Sequence, residues 1–327
     1  MRFLWRLMKK HKILFFCYAI SFILDAKQPF IVGLMPVRNE SAIIDQSLRA
    51  LACYTDAIVV LDDASEDNTL AIIESLATEC KIKAIIKKTI WHRDEPGDKN
   101  LLLKAGRELG GTHFIVIDAD EMFTANFAQN NFLKNLILRL NPGDRLAFYM
   151  FHIWKHSGQY RHYEPAQKEM IFCDDGISGY NSDFIHTPRV PISKQGALLI
   201  LENCKYGIMH FEPINFRNLR IKYAWYMCLH KIRKSKFTDE QLNEFYAQLL
   251  DDSAIALHAT HADWFAYPFY DEKAYHASRW EEQHVIDWIK EYGRDYFASL
   301  AIWDVDAAWT AGSSGTFSTG SKTPGSN

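Results

Sequence analysis

The sequence predicts an α/β fold, with a mostly parallel sheet flanked by helices and a helical, aromatic-rich C-terminal region. First, short apolar runs alternate with amphipathic segments over residues 30–117, which is typical of parallel strands joined by crossover helices. Second, aspartates directly follow two of the apolar runs, at Asp62 and at Asp118. Third, apolar residues and tryptophans recur at helical spacing beyond residue 216.

Each strand and helix is predicted from its own pattern. The apolar runs that predict strands cover residues 30–35, 57–61, 82–86 and 113–117. The amphipathic segments that predict helices cover residues 41–52, 67–78, 100–109, 216–232, 239–250 and 279–292. Residues 147–204 are short, aromatic and strand-like in pattern. Ligands of such folds bind at the carboxyl ends of the parallel strands, where both acidic clusters fall.

Composition favours an enzyme that acts on small or moderately sized substrates. The chain of 327 residues is 48% hydrophobic and 24% charged, which is ordinary for a globular protein whose core needs no disulfides. Its formal net charge of -3 lacks the basic excess of nucleic-acid-binding proteins. Its 6 cysteines form no Cys-x-x-Cys pair, which argues for a reducing, cytoplasmic compartment and against a zinc ribbon.

The N-terminal segment is basic and then apolar. Arginines and lysines within residues 2–12 precede an apolar run over residues 13–24. This run is shorter than the roughly 20 residues that a membrane-spanning helix needs, and no small-x-small cleavage site follows it. Three interpretations are open: a helix packed on the protein, a peripheral helix on an anionic membrane surface, and a true anchor or signal.

Asp118 and Asp120 are the first candidates for a functional site. On extended backbone, residues two apart point to the same side, so both carboxylates would face one spot beyond a buried strand. A divalent cation binds one or two such carboxylates together with substrate phosphate oxygens, and it would neutralise a diphosphate leaving group. The alternative is structural, with Asp118 capping a turn and Asp120 with Glu121 capping a helix.

Asp62 and Asp63 form the second acidic cluster. A carboxylate at the end of the second strand can accept hydrogen bonds from a ribose or from a base edge. The alternative is a helix N-terminus at which Asp67 is the cap. Farther along the chain, Arg93 and Lys99 would offset diphosphate charge, unless they belong to a solvated loop.

Four motifs, in this order, resemble those of the family 2 glycosyltransferases. They are Pro36-Val37-Arg38-Asn39-Glu40, then Asp62-Asp63-Ala64-Ser65-Glu66-Asp67-Asn68-Thr69, then Lys99-Asn100, and finally Asp118-Ala119-Asp120-Glu121. The resemblance covers residues 30–124. It implies a GT-A fold, a nucleotide-sugar donor that is often a UDP-sugar, a Mg²⁺ or Mn²⁺ ion, and usually inversion at the anomeric carbon.

The resemblance also implies roles for individual residues. Asp63 and Asp62 would face the base and the ribose. Asp118 would lie near the ribose and the metal, and Asp120 would bind the metal. The other donor-binding positions that it implies are Pro36, Arg38, Asn39, Glu40, Lys99, Asn100 and Ala119. The acceptor would be a glycan or a lipid-linked carbohydrate.

Residues outside these motifs complete the candidate site. An inverting transfer needs a base for the acceptor hydroxyl, and a carboxylate is the usual choice. We favour Asp183, in a polar loop beyond the sheet, and the other candidates are Glu169, Asp174 and Asp175. His210 ends an apolar strand and is a candidate metal ligand, as is His186, although a buried core histidine fits both positions. Imidazole suits Mn²⁺ better than Mg²⁺.

Aromatic residues and histidines are frequent in the C-terminal region. Trp280, His284 and Trp288 are spaced as on one helix face, which favours core packing over a sugar-stacking platform. His258 and His261 could likewise share a helix face, but the sequence offers no third ligand for zinc.

The chain is therefore expected to have four parts. They are a basic and apolar helix over residues 1–28, a GT-A domain for nucleotide-sugar and acceptor over residues 29–215, a helical region over residues 216–311, and a disordered tail over residues 312–327. The expected location is cytoplasmic, and peripheral membrane contact through the N-terminal helix stays open.

Three other functions fit parts of the pattern. A non-catalytic nucleotide-sugar- or membrane-binding module would keep the same fold. A receiver-type phosphate acceptor also pairs acids at strand ends, but the required lysine after a fifth strand is missing. A nucleotidyltransferase would need a glycine-rich, arginine-containing phosphate loop after the first strand, which this sequence lacks.

Overall fold

The computed structural model describes residues 28–92, 94–162, 167–181, 187–253, 256–277 and 280–310. The predicted N-terminal helix, apart from residue 28, and the predicted tail lie outside these residues. Within the described parts, no helix is both long and apolar enough to cross a membrane.

One sheet connects the described strands, and four parallel strands form its first part. They are β1 (Ile31–Val37), β2 (Ala57–Asp62), β3 (Ile82–Lys87) and β4 (His113–Val116), in the spatial order β3-β2-β1-β4. β1 and β2 are buried along almost their whole length, as expected for central strands that are covered on both faces. All four agree closely with predicted strands.

The second part of the sheet mixes strand directions. Its strands are β5 (Glu121–Phe123), β6 (Arg145–Ile153), β7 (Gln159–Arg161), β8 (Gln167–Cys173), β9 (Leu198–Ile200), β10 (Gly207–His210) and β11 (His258–Ala259). β8 lies antiparallel between β4 and β6. β10 runs parallel to β6 and antiparallel to β5. The predicted α/β class, with its mostly parallel central sheet and flanking helices, is confirmed, and this antiparallel part extends it.

The helices cover the sheet and build the C-terminal region. They are α1 (Ile44–Ala52), α2 (Thr69–Ser75), α3 (Glu95–Glu108), α4 (Phe132–Ile137), α5 (Phe216–Ile232), α6 (Asp239–Leu250) and α7 (Trp280–Tyr292). α5 and α6 have the predicted bounds, whereas α3 begins before residue 100. Asp94 caps α3 by accepting a hydrogen bond of 3.1 Å from the Gly97 amide. Pro96 fits there because the first helical turn needs no amide donor.

The helices of the C-terminal region enclose an apolar core of their own. Trp225 of α5 stacks on Trp288 of α7 with 6.0 Å between the ring centroids, and it meets Trp280 edge-on at 5.3 Å. Val285 and Phe297 are fully buried in the same cluster. The predicted packing of the aromatic face of α7 in a core is confirmed.

The prediction for His258 and His261 is wrong. His258 lies in β11, which pairs antiparallel with β7, so the two histidines do not share a helix face. The ring of His258 stacks on those of Tyr160 and His162, at centroid distances of 5.3 and 5.5 Å. Pairing with an open sheet edge decides this conformation, and nothing in the local sequence indicates it.

Candidate active site

The candidate site lies where the parallel strands end. Val37 of β1 is in register with Asp62 of β2, and Leu34 of β1 with Val116 of β4. Because parallel strands end at the same edge, the segments after β1, β2 and β4 meet there. The acidic clusters that follow β2 and β4 therefore share one edge of the sheet, as the sequence predicts.

Asp62 and Asp63 form a corner at the end of β2. Asp62 is only 2% exposed; its Oδ2 accepts a bond of 3.3 Å from the Ser65 amide, while its Oδ1 has no hydrogen-bond partner among the described residues. Asp63 pairs with Lys88, with 2.6 Å between Oδ1 and Nζ. A buried carboxylate oxygen without a donor is a costly arrangement, which a ligand hydroxyl would relieve.

The segment between β1 and α1 packs against this corner. Asn39 has a left-handed backbone with φ of 52°; its side-chain oxygen accepts a bond of 2.7 Å from the Glu66 amide, and its Nδ2 is buried without a partner among the described residues. The Arg38 guanidinium donates to the carbonyl oxygens of Asp63 and Ala64. Arg38 therefore fixes the corner by binding its backbone.

Arg38 also connects the two parts of the molecule. Its guanidinium lies 5.3 Å from the ring centroid of Trp91 and 5.5 Å from that of Trp280 in α7. Such cation–π distances contribute favourable electrostatic energy. The same side chain therefore contacts the Asp63 backbone and the helical region.

Lys99 and Asn100, in α3, bind backbone atoms of Tyr180, Thr187 and Pro188. The Asn100 side chain exchanges two hydrogen bonds of 2.9 Å with the backbone of Tyr180. The Lys99 ammonium donates to the carbonyl oxygens of Thr187 and Pro188, at 3.1 and 3.3 Å. Burial lowers the pKa of Lys99, although the nearby charge of Asp118 opposes this shift.

Asp120, Glu121 and His210 form a cluster that could hold a metal ion. β5 and β10 pair with His210 opposite Glu121, and Asp120 Oδ2 lies 3.3 Å from His210 Nε2. One ligand atom from each of the three residues lies within 4.8 Å of the other two. Two carboxylates and an imidazole suit Mn²⁺, which accepts nitrogen more readily than Mg²⁺ does. This donor set therefore fits the ion that the resemblance implies.

Arg189 joins the cluster to Asp118. Its guanidinium binds Glu121 through both terminal nitrogens and lies 3.0 Å from Asp118 Oδ2. Glu121 is 1% exposed, so the arginine supplies the counter-charge that a buried carboxylate requires. Asp118, predicted as a metal ligand, is 46% exposed in its side chain and is not a member of the three-residue cluster.

His152 lies behind His210. The two residues are in register on β6 and β10, with 2.9 Å between their Nδ1 atoms. Burial opposes the charge of His210, but Asp120 and the neighbouring Glu212 outweigh it and raise the pKa of His210 to about 9. Burial and the charge of His210 hold the pKa of His152 well below its usual value. In its neutral form, His152 can accept a hydrogen bond from His210 Nδ1–H.

A cavity of about 330 Å³ adjoins Asp120. It lies between the segment that links β1 to α1 and the C-terminal region. Its lining residues are Asn39, Glu40, Ser41, Ala42, Ile43, Asp67, Asp120, Phe211, Glu212, Asn215, Asn218, Ala274, Tyr275, Ala277 and Trp280. Both parts of the chain therefore contribute to its wall.

The candidate bases do not all reach this edge. Asp174 and Asp175 follow β8, whose end at Cys173 lies beside His113 at the start of β4, so they belong to the opposite edge. Asp174 pairs with Arg107 there. Glu169 is engaged by Arg145 at 2.8 Å. Three other predicted residues lie outside the described residues, namely Arg93, Asp183 and His186.

Three residues of the site are absent from the sequence-based prediction of ligands. Glu121 has a local signal, because it follows Asp120 directly. The alternative prediction, that Asp120 and Glu121 cap a helix, is wrong, because Glu121 begins β5. Arg189 and His152 have no local signal. Their place in the site depends on long-range contacts and on the register of β6 with β10.

Residues 34–183 match the model of the glycosyl transferase family 2. The matched segment contains both acidic clusters and ends before His210.

Two solved structures are similar to this chain over most of its length. TarS 1–349 of S. aureus in complex with UDP is 14% identical, with 83% of this chain and 83% of that chain covered and a TM-score of 0.37. The mannosyltransferase PcManGT of Pyrobaculum calidifontis in complex with GDP-Man and Mn²⁺ is 16% identical, with 88% and 84% covered and a TM-score of 0.38.

Proposed function

We propose that this chain is a metal-dependent glycosyltransferase, which moves a sugar from a nucleotide-sugar, preferentially a UDP-sugar, to a glycan or a lipid-linked acceptor with inversion. The observation that carries the proposal is the meeting of two acidic sites at one sheet edge. One is the Asp62 corner, and the other is the Asp120–His210 pair. The family match over residues 34–183 supports the same reaction class.

The donor nucleoside is assigned to the corner formed by Asp62 and Asp63. Asp62 Oδ1 and Asn39 Nδ2 are both buried without partners among the described residues, and a nucleoside supplies the donors and acceptors that would satisfy them. Arg38 supports this corner through backbone contacts rather than through the ligand. Pro36, Glu40 and Ala119 complete the proposed donor site, and Lys99 with Asn100 borders it.

The metal is assigned to Asp120 and His210, with Asp118 or Glu121 as the third ligand, and Mn²⁺ fits this set better than Mg²⁺. When bound, the ion would neutralise charge on the departing diphosphate. Arg189 already places a cation beside Asp118 and Glu121, so it would hold both carboxylates in position for ligand binding.

Asp183 stays our proposed base. Tyr180 and Thr187, which precede and follow Asp183 in the sequence, are bonded to α3. Arg189, six positions beyond Asp183 in the sequence, contacts Asp118. These contacts of sequence neighbours support the choice of Asp183.

The proposal is tested by UDP release from a panel of UDP-sugars with Mn²⁺ and by thermal shift with the same ligands. Asp120→Asn keeps the size of the side chain and removes its charge, and we expect it to lower the rate at least about 100-fold. Asp306→Asn is the matched control, because Asp306 is a 94% exposed carboxylate on the surface. The best donor should also give the largest thermal shift.

Two results would contradict the proposal. Equal turnover by folded Asp120→Asn and by the control would remove the metal assignment. Tight nucleotide-sugar binding without turnover on any acceptor would favour a non-catalytic binding module of the same fold.

A further inference from the structure

Lys168, in β8, is a half-buried cation. No hydrogen bond or ion pair joins its ammonium to another residue in the described part of the chain. In contrast, Lys88 and Arg189 at the same sheet edge pair with Asp63 and with Glu121. Partial removal of a cation from water is unfavourable unless a counter-charge accompanies it, so Lys168 indicates that an anion binds beside it.

The register of β8 brings Lys168 to the level of Asp118. β8 runs antiparallel to β4, with Ile171 opposite Ile115. Lys168 lies three residues before Ile171, and Asp118 lies three residues after Ile115. Because the two strands run in opposite directions, these two steps lead to the same level. Lys168 therefore lies at the sheet edge that carries the acidic clusters.

The side chain of Lys168 is on the face of the sheet that carries His152. Lys168 is in register with Phe148 of β6, and paired residues of neighbouring strands share a face. His152 lies four residues after Phe148 on the same strand, and residues an even number apart share a face as well. Burial and the charge of Arg189 lower the pKa of Lys168, whereas the charge of Glu121 opposes this shift. Lys168 is therefore a neighbour of the cluster that could hold a metal ion.

The order of the strands places Lys168 beyond the nucleoside corner. Along the sheet the strands follow the order β2-β1-β4-β8, so the Asp62 corner is at β2 and Lys168 is three strands away. Neighbouring strands lie about 4.8 Å apart, so this separation is about 14 Å. It is comparable with the length of an extended nucleoside diphosphate. A nucleoside bound at the corner could therefore extend its distal phosphate past Asp118 to β8.

We propose that Lys168 binds the distal phosphate of the donor diphosphate. The inference rests on the proposed glycosyl transfer and adds a residue to its donor site. In that reaction the bond from the anomeric carbon to an oxygen of the distal phosphate breaks, as the acceptor oxygen bonds to this carbon and its proton passes to a base. The electron pair stays on the phosphate oxygen, whose negative charge increases. An ammonium beside this oxygen stabilises that charge.

The test compares nucleotides with and without the distal phosphate. Binding of UDP and of UMP to the full chain is measured by calorimetry with Mn²⁺ in the buffer, and GDP and GMP replace them if the chain prefers guanosine nucleotides. Lys168→Met keeps the length of the side chain and removes its charge. We expect about 10-fold weaker binding of UDP and unchanged binding of UMP, which offers Lys168 no distal phosphate.

Lys104→Met is the matched control, because Lys104 lies on α3 with 75% of its side chain exposed. It should bind UDP and UMP as the unmodified chain does. Lys168→Gln is a second variant, in case Lys168→Met does not fold, and it should show the same selective loss of UDP binding. Thermal unfolding checks that each variant is folded.

UDP-glucuronate, which carries a carboxylate on its sugar, is measured alongside as a test of a sugar-binding role. A loss that is confined to UDP-glucuronate would assign Lys168 to an anionic donor sugar and would overturn the inference. Equal losses for UDP and UMP, or no loss for either, would also overturn it and leave the proposed function standing. Failure of the unmodified chain to bind any of these nucleotides would instead reject the proposed function, and this inference with it.

Discussion

His210 presents one ring nitrogen to Asp120 and the other to His152. Nδ1 faces His152, so Nε2, which faces Asp120, is the nitrogen that a cation would bind after the loss of its proton. Partners of this kind set the tautomer of a ligating histidine and fix its ring. His152 is therefore a positioning residue for the proposed metal site.

His152→Phe keeps a ring of similar size and removes the acceptor. We expect the affinity for Mn²⁺, measured by calorimetry, to fall by about 10–100-fold. His152→Asn, which restores an acceptor oxygen, should recover part of this loss. His162→Phe serves as the control, because His162 packs against His258 rather than against the cluster. Unchanged Mn²⁺ affinity in folded His152→Phe would contradict the assignment.

Single residues of the site differ in how far the sequence predicts them. Asp120 follows a buried strand and His210 ends one, so the local pattern is sufficient to select both as candidates. The contact between Asp120 and His210 depends on the pairing of β5 with β10. The contact between His152 and His210 depends on the register of β10 with β6. Such pairings join residues far apart in the chain, and a local pattern carries no information on them.

At the scale of elements, β10 positions His210, and Gly207 sets where this strand lies. A Cβ atom at Gly207 would overlap the carbonyl oxygen of Tyr149 in β6. Backbone cannot move aside as a flexible side chain can, so Gly207→Ala must displace β10. We expect a loss of about 1–3 kcal/mol in the free energy of unfolding, together with weaker Mn²⁺ binding.

Urea denaturation and Mn²⁺ titration check this prediction. Gly158→Ala is the control, because a Cβ at that position would meet only the side chain of His156. Full stability and full Mn²⁺ affinity in Gly207→Ala would show that β10 does not depend on this close approach.

Elements with a strong local signal are predicted best. α5 and α6 have long apolar periodicity, and α6 also has a complete capping box between Thr238 and Gln241. β11 has only two residues and depends on its neighbour β7, so local propensity cannot identify it. The early start of α3 follows from the Asp94 cap, which the loop-like Pro96 and Gly97 obscure.

At the scale of the whole molecule, the sheet carries the cluster of Asp120, Glu121 and His210, and the helical core carries one wall of the cavity. Trp288 stacks on Trp225 in the helical core and thereby supports α7, which contains Trp280. Trp288→Ala should cost about 2 kcal/mol, less than for a fully buried tryptophan because Trp288 is half-buried. It should lower sugar transfer while Mn²⁺ affinity stays the same.

Urea denaturation, Mn²⁺ titration and transfer assays on one preparation check this expectation. If Mn²⁺ affinity fell as much as transfer, the helical core would influence the cluster on the sheet, and this expectation would be wrong. Trp288→Phe, which keeps an aromatic ring in the stack, should lie between the unmodified chain and Trp288→Ala in stability.

The sequence does not predict how the sheet and the C-terminal helices pack against each other. The alternation of strands and helices predicts the parallel sheet, and helical periodicity predicts the C-terminal helices. The contact of Arg38 with Trp280 and the shared wall of the cavity arise only when the two parts pack together. Packing between distant segments therefore determines the shape of this cavity.

The side chains of Lys99 and Asn100 bind backbone atoms of Tyr180, Thr187 and Pro188. Backbone atoms are the same whatever the residue, so these bonds do not depend on which side chains the three positions carry. The attachment of these positions to α3 can therefore persist in evolution while their side chains diverge.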